Sequence, residues 1–358
     1  MSARAQSRDF IMKTSIRNLV RENIKNIQPY SSARDEFTES TSDMLFLDAN
    51  ENPFENGVNR YPDPQQQAVK EKLSAIKNIA AENILLGNGS DEVLDLIFRA
   101  FCEPNKDNII ILPPTYGMYK VLANINAIKV KEVQLTKGFQ PKTQTILLAA
   151  NQKTKILFLC SPNNPTGNSF SRVQVEKLVK QFKGIVVIDE AYIDFSEQES
   201  WMNRLEEFPN LIITQTLSKA YGMAGIRLGV CYASKEVINV LNSIKPPYNV
   251  NELTQQKALE RLSKMDEIQN EILQIKNQKE ILLKELKEIG FVKGIYPSDA
   301  NFLLIKVDNA TERYQQLIKK GIVVRNRTNQ PLCENCLRIS IGTVEDNKQL
   351  IEVLKQIN

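Results

Sequence analysis

The chain has 358 residues, 42% of them apolar and 25% charged, with a formal net charge of +4. That length exceeds one small core and predicts two packed domains of ordinary globular composition. The 46 basic and 42 acidic residues are interspersed, which gives no support for nucleic-acid binding, and no apolar run is long enough to span a membrane. Histidine is absent. This excludes Ser-His and Cys-His nucleophile pairs, histidine-ligated metals and histidine bases, and it leaves proton transfer to Lys, Tyr, a carboxylate or a cofactor.

Met1 to Thr14 lacks the apolar stretch of a secretory signal. It reads as an arm, or as an upstream start before Met12, in preference to the transit peptide that its Arg and Ser content weakly suggests. Ile16 to Leu47 is expected to return against a smaller C-terminal unit. From residue 64 helix and strand patterns alternate. Helix Gln65–Lys77 precedes strand Asn83–Leu86, the turn Gly87-Asn-Gly-Ser90 and helix Asp91–Cys102. Then come strand Asn108–Leu112, helix Tyr116–Asn126 and strands Lys129–Val133 and Ile156–Cys160. Helix Ser171–Phe182 leads to strands Ile185–Asp189, Leu211–Thr214 and Arg227–Tyr232. Asn251–Ile289 reads as a long, interrupted helical stretch. Strand Phe302–Val307, helix Thr311–Lys320, strand Leu337–Ile341 and helix Glu345–Ile357 complete the chain.

This order predicts an α/β fold: a large domain with a mostly parallel sheet flanked by helices, plus a smaller α+β domain. Residues 1–50 are assigned to an N-terminal arm and part of the small domain, 51–250 to the large domain and 251–358 to the small C-terminal domain. Cys102, Cys160 and Cys231 lie in apolar segments and read as buried thiols. Cys333-Glu-Asn-Cys336 has a metal-like spacing but lacks partners for a zinc quartet, so no metal is assigned. The cysteine usage fits a reducing cytoplasm.

Ligands of such sheets bind outside the carboxyl ends of the strands, and the residues expected there form a chemical set. Ile185-Val-Val-Ile-Asp-Glu-Ala-Tyr192 is an apolar strand ending in Asp189. It also resembles a Walker B strand, but Gly-Lys occurs nowhere in the chain. Thr216-Leu-Ser-Lys219 follows a strand, and Arg227 lies eight residues further on. An amine for a Schiff base, a carboxylate for a pyridinium nitrogen and a guanidinium for a phosphate are the parts that hold pyridoxal 5'-phosphate. Gly89, Ser90 and Asp91, between a strand and a helix, suit a phosphate cradle or a plain capped turn. Tyr116 fits a stacking partner for the ring or a core aromatic. Asn164, in Ser161-Pro-Asn-Asn-Pro-Thr-Gly167, and Tyr192 fit hydrogen bonds to the ring hydroxylate, or turn chemistry in the case of the loop.

Asn-Pro-Thr-Gly, then Asp-Glu-Ala-Tyr, then Ser-Lys with an Arg eight residues later resembles the fold-type I aminotransferases of classes I and II, over about Tyr30 to Gly342. Within them the chain is most similar to the histidinol-phosphate aminotransferase family. The similarity is carried by Pro29-Tyr-Ser-Ser-Ala-Arg34, Leu47-Asp-Ala-Asn-Glu-Asn-Pro53, Arg60-Tyr-Pro-Asp63, Pro113-Pro-Thr-Tyr-Gly-Met-Tyr119 and Cys336-Leu-Arg-Ile-Ser-Ile-Gly342. The resemblance implies Lys219, Asp189 and Tyr192 as catalytic residues, with Asn164 beside Tyr192 at the ring oxygen. It implies Ser90, Asp91, Ser218 and Arg227 around the cofactor phosphate, and Tyr61 reaching that phosphate in the neighbouring subunit of a homodimer. Arg338 would bind the substrate anion with help from Arg325 and Tyr30, Asn301 would line the same side, and Arg327 is an alternative to Arg325. The implied reaction links histidinol phosphate and 2-oxoglutarate to imidazole-acetol phosphate and glutamate in histidine biosynthesis. An aromatic amino acid aminotransferase and a threonine-phosphate decarboxylase of the same fold are the alternatives. Branches that stack a histidine on the cofactor are excluded by composition. A transcription-regulator sensor domain is disfavoured because only about 40 residues precede the large domain, without a basic helix-turn-helix pattern. Met1 to Met12 and the stretch between Arg34 and Leu47 match no role.

Overall fold

In the computed structural model, residues 15–30 and 45–357 are described. The larger sheet has strands β1 (Ile84–Asn88), β2 (Asn108–Ile111), β3 (Lys129–Glu132), β4 (Thr154–Cys160), β5 (Ile185–Asp189), β6 (Leu211–Thr216) and β7 (Leu228–Ala233). They lie in the order β1-β7-β6-β5-β4-β2-β3. β7 runs antiparallel to both of its neighbours, and the other pairs are parallel. Because strand side chains alternate between faces, β5 divides its residues between two cores. Val186 and Ile188 join one cluster, Ile185 and Val187 the other. Both faces are therefore covered by helices, which is why these strands are continuous apolar runs.

This topology gathers the site at one edge. The carboxyl ends of β1, β4, β5 and β6 and the start of the reversed β7 all meet there. A second, antiparallel sheet has strands β8 (Val292–Ile295), β9 (Phe302–Val307), β10 (Arg325–Asn326) and β11 (Cys336–Ser340), in the order β10-β11-β9-β8. Its own cluster includes Leu282, Leu303, Leu337 and Leu354. Packing changes partway along helix Met265–Lys287: Ile268 belongs to the cluster beneath the large sheet, Leu282 and Leu286 to that of the small one. Among the described residues no helix is long and apolar enough to cross a membrane.

Several elements differ from expectation. Helices Thr143–Ala149 and Lys235–Ile244 and strands β8 and β10 are additions. Lys235–Ile244 carried a signal, since Ser234 caps it by accepting from the Val237 amide at 3.4 Å. The 251–289 stretch divides at Ser263 and Lys264 into two helices. The first part of Ile16 to Leu47 does not pack on the smaller unit. Ile16 and Val20 are buried in the large-sheet cluster with Leu94 and Val237, and the Arg21 amide donates to the Ala100 carbonyl at 3.0 Å. These two apolar residues, four apart, find the flanks of helices Ser90–Phe101 and Lys235–Ile244 first. Residues 1–14 and 31–44, including the arm and Ser31 to Arg34, lie outside the described residues. All five cysteines are buried free thiols.

Candidate active site

A cavity of about 610 Å³ opens at the edge where these strand ends meet. Its floor is Asp189, the last residue of β5, which is buried. Oδ1 accepts from the Ala191 amide at 3.1 Å and Oδ2 from the Tyr119 hydroxyl at 2.6 Å. Burial pushes the Asp189 carboxyl up, while these two donors oppose the shift. Tyr119 is fully buried and stacks on Phe158 with centroids 4.6 Å apart. Sequence reasoning missed Tyr119. The signal was its position three residues after Tyr116, which places both rings on one side of a helical turn. Tyr116 packs edge-on against Tyr119 at 5.6 Å and donates to Asp91 Oδ1 at 3.1 Å.

Lys219 follows β6 in a tight turn closed by the Gly222 amide on the Lys219 carbonyl at 3.1 Å. Its Nζ is 5.9 Å from the centroid of Tyr192. The side chain reaches solvent through the cavity mouth, yet enough protein surrounds it that burial lowers its pKa, with repulsion from Arg338 and Arg227 adding to the effect. A lowered pKa brings the neutral, nucleophilic form of the amine closer to reach. Burial also raises the phenol of Tyr192, which packs edge-on against Phe302 at 5.2 Å.

The far end of the cavity is the start of helix Ser90–Phe101. Gly89 precedes it at φ +77°, and its amide donates to the Arg227 carbonyl at 2.8 Å. A Cβ on Gly89 would come within 2.5 Å of Arg227 Nη2, so the missing side chain makes room for the guanidinium. A Cβ on Gly229 would come within 2.2 Å of the Ser90 amide nitrogen. Glycine at both positions lets the first turn of the helix and β7 meet, leaving backbone N–H groups and a cation together at a helix N-terminus. Ser218 lines the same region, and its amide donates to Thr216 Oγ1 at 3.2 Å.

The smaller sheet supplies the remaining wall. Arg338, on β11, lies opposite Arg325 of β10. Arg338 Nη1 donates to Asn164 Oδ1 at 2.5 Å, and its guanidinium sits 5.1 Å from the Phe302 ring centroid. Arg325 and Arg327 also line the cavity. Burial and the two neighbouring guanidiniums push Arg327 down to about 10.

Three expected residues lie outside this cavity, of which Tyr61 was expected at the neighbouring subunit's phosphate. Tyr61 stacks on Tyr248 at 4.5 Å in a separate groove and is 50% exposed. Tyr30 is 74% exposed and lines a groove with Arg99 and Pro246, because Ile16 and Val20 carry its segment onto the large-sheet helices. Asn301 is not part of the cavity lining; its carbonyl accepts from the Ile341 amide at 2.9 Å.

A buried carboxylate, a neutralisable amine and a guanidinium at a glycine-lined helix N-terminus, in that order along one cavity, fit pyridoxal phosphate. Fold and site together define a pyridoxal-phosphate-dependent aminotransferase of fold type I. Residues 42–354 match the family described as aminotransferase class I and II. The histidinol-phosphate aminotransferase of Flavobacterium johnsoniae is 67% identical over 344 residues, covering 96% of this chain and 99% of its own length. Among solved structures, the histidinol-phosphate aminotransferase of Clostridium acetobutylicum superposes with a TM-score of 0.77 at 24% identity, over 84% of this chain and 91% of its own. That of Sinorhizobium meliloti, in complex with pyridoxal-5'-phosphate, gives a TM-score of 0.75 at 22% identity over 84% of each chain. The chain belongs to the class I and II aminotransferases and, among them, to the histidinol-phosphate aminotransferase family.

Proposed function

We propose that this enzyme moves the amino group of histidinol phosphate to 2-oxoglutarate, giving imidazole-acetol phosphate and glutamate, a step of histidine biosynthesis. One observation carries the reading: Lys219 and a wall of Arg325, Arg327 and Arg338 face the same cavity. Pyridoxal phosphate supplies, when bound, an electron sink for charge developing at the substrate carbon. Asp189 would keep the ring nitrogen protonated, and Tyr119 holds that carboxylate in place. Arg227, Ser90, Ser218 and the helix N-terminus would hold the cofactor phosphate, with Asp91 fixing Tyr116 beside the ring. Tyr192 and Asn164 would serve the ring oxygen. Lys219 Nζ is the covalent anchor and the base for the substrate Cα proton, the role a chain without histidine leaves to an amine of lowered pKa.

Arg338 and Arg325 would take the anionic group of each substrate in turn, phosphate in one half-reaction and carboxylate in the other. Arg338 is aimed by Asn164 and by the face of Phe302. A homodimer is part of the reading: Tyr61, Val58 and Leu253 are exposed apolar residues lining one groove, and Tyr61 would complete the neighbouring subunit's phosphate site.

The test is glutamate formation from 2-oxoglutarate with histidinol phosphate, phenylalanine or tyrosine as donor. Histidinol phosphate should be preferred. Failure to consume 2-oxoglutarate with it would overturn the assignment. Loss of carbon dioxide from threonine phosphate would favour the decarboxylase instead.

A further inference from the structure

The cavity wall carries one more cation than a carboxylate needs. Arg325 and Arg338 are opposed across β10 and β11. Arg327 stands just past β10, where its amide donates to the Cys336 carbonyl of β11 at 2.8 Å, and all three line the cavity. The arginine ion pairs among the described residues belong to Arg21, Arg60, Arg99, Arg204, Arg261 and Arg313, not to these three. Arg338 finds one neutral acceptor in Asn164. Arg327 finds none, and its Nε is buried without a hydrogen-bond partner. Three guanidiniums held together without a counter-charge repel one another, and a buried donor left unpaired is costly. Both are relieved by an anion of more than one charge with more than two acceptor oxygens.

We propose that Arg327 is a specificity-determining residue, the third guanidinium that makes this wall prefer a phosphate monoester to a carboxylate. The inference rests on the proposed function and deepens it. A phosphate monoester carries about −1.5 to −2 charges at neutral pH and three strong acceptor oxygens. A carboxylate offers one charge and two oxygens, which Arg338 and Arg325 can satisfy. Arg327 thus acts in addition to Arg325, not in its place.

The experiment uses holoenzyme carrying Arg327, Arg327→Gln or Arg327→Lys, with KM measured separately for histidinol phosphate and 2-oxoglutarate. Arg327→Gln should raise KM for histidinol phosphate about tenfold to a hundredfold, the loss of one charge-assisted contact. The rise for 2-oxoglutarate should be at least about tenfold smaller. Arg327→Lys should recover part of the loss, because it restores a point charge without the planar fork. If Arg327→Gln does not fold, a smaller shift of the same ratio in Arg327→Lys decides the matter. Calorimetric titration of the same proteins with ethyl phosphate and with propionate reads the preference without turnover. Equal changes in both arms, or no change, overturn the inference. A wild-type enzyme inactive on histidinol phosphate, whose ethyl phosphate preference nonetheless disappears in Arg327→Gln, sinks the substrate assignment and leaves the residue's role standing.

Discussion

The Tyr119 hydroxyl donates a 2.6 Å hydrogen bond to Asp189 Oδ2 from a wholly buried position beneath the cavity floor. Burial pushes this carboxyl up, and the Tyr119 hydroxyl opposes that shift, so the bond favours the charged form that would pair with a protonated ring nitrogen. Tyr119→Phe preserves the ring and its stacking on Phe158 and removes only the donor. A hydrogen bond to a charged group contributes about 1.5–3 kcal/mol. Cofactor affinity should therefore fall roughly tenfold to a hundredfold, with a smaller effect on thermal stability. Equilibrium dialysis with pyridoxal phosphate measures it, and an unchanged dissociation constant would remove Tyr119 from the site.

Lys219→Ala should abolish turnover, by at least the ~10²–10⁴-fold that a positioned acid–base group contributes. It should also prevent borohydride from fixing the cofactor to the protein. In the wild type the label should appear on the peptide containing Lys219, and mass spectrometry locates it. A label elsewhere, or persistent turnover in the variant, contradicts the assignment.

The centre of the site was legible because its residues follow strand ends. Asp189 closes an apolar run whose alternation places it at the sheet edge, and Lys219 and Arg227 flank the turn between β6 and β7. What local pattern could not supply was contact between distant segments. Tyr119 reads as one more helix aromatic until β5 is placed beside it, 70 residues away in sequence. The reversed direction of β7 follows from its pairing with β1 and β6, not from its own sequence. Strand β10 has two residues, too few for a periodicity, and Arg325 faces the cavity because Arg338 pairs with it. The position of Tyr30 outside this cavity was hidden for a similar reason: nothing in its neighbourhood announces that Ile16 and Val20 pack against helices of the large sheet.

Arg338→Gln should act on both substrates and on the amine. Losing a guanidinium that serves either anion should raise both KM values about tenfold or more. Arg338 also helps depress the pKa of Lys219, second to burial. Its removal lets that pKa rise toward its ordinary value, so the neutral amine becomes available only at higher pH. The acid limb of cofactor capture by the apoenzyme, trapped with borohydride across a pH series, should move upward. A limb that stays in place would separate the two residues.

Glu190 is buried beside Asp189, with its carboxylate accepting from the Trp201 amide at 2.7 Å and from Ser200 and Gln215. Burial nevertheless raises its pKa from the ordinary 4.5 to about 7. The native state therefore holds this proton more tightly than the unfolded chain does. The resulting stabilisation is fully present below the unfolded value and is lost as pH rises through the folded one, on the order of 3 kcal/mol across that window. Glu190→Gln removes the titration. Between about pH 4.5 and pH 7 its Tm should fall less steeply with pH than that of the wild type. Parallel slopes would show that Glu190 does not carry this dependence.

Gly229 tests the joint between β7 and the helix that opens at Ser90. A Cβ there would meet the Ser90 amide nitrogen at 2.2 Å and the Gly89 carbonyl carbon at 2.4 Å. Both are backbone atoms, so no rotamer change relieves the clash, and the chain itself must move. Gly229→Ala should then cost stability, roughly 1–3 kcal/mol by analogy with overpacked cores. It should also weaken the cofactor's phosphate end more than its ring end, because the displaced amides belong to the helix N-terminus. Affinity for pyridoxal phosphate should fall by a larger factor than affinity for unphosphorylated pyridoxal. If the two fall together, the damage is general and the cradle is not where that backbone contact matters.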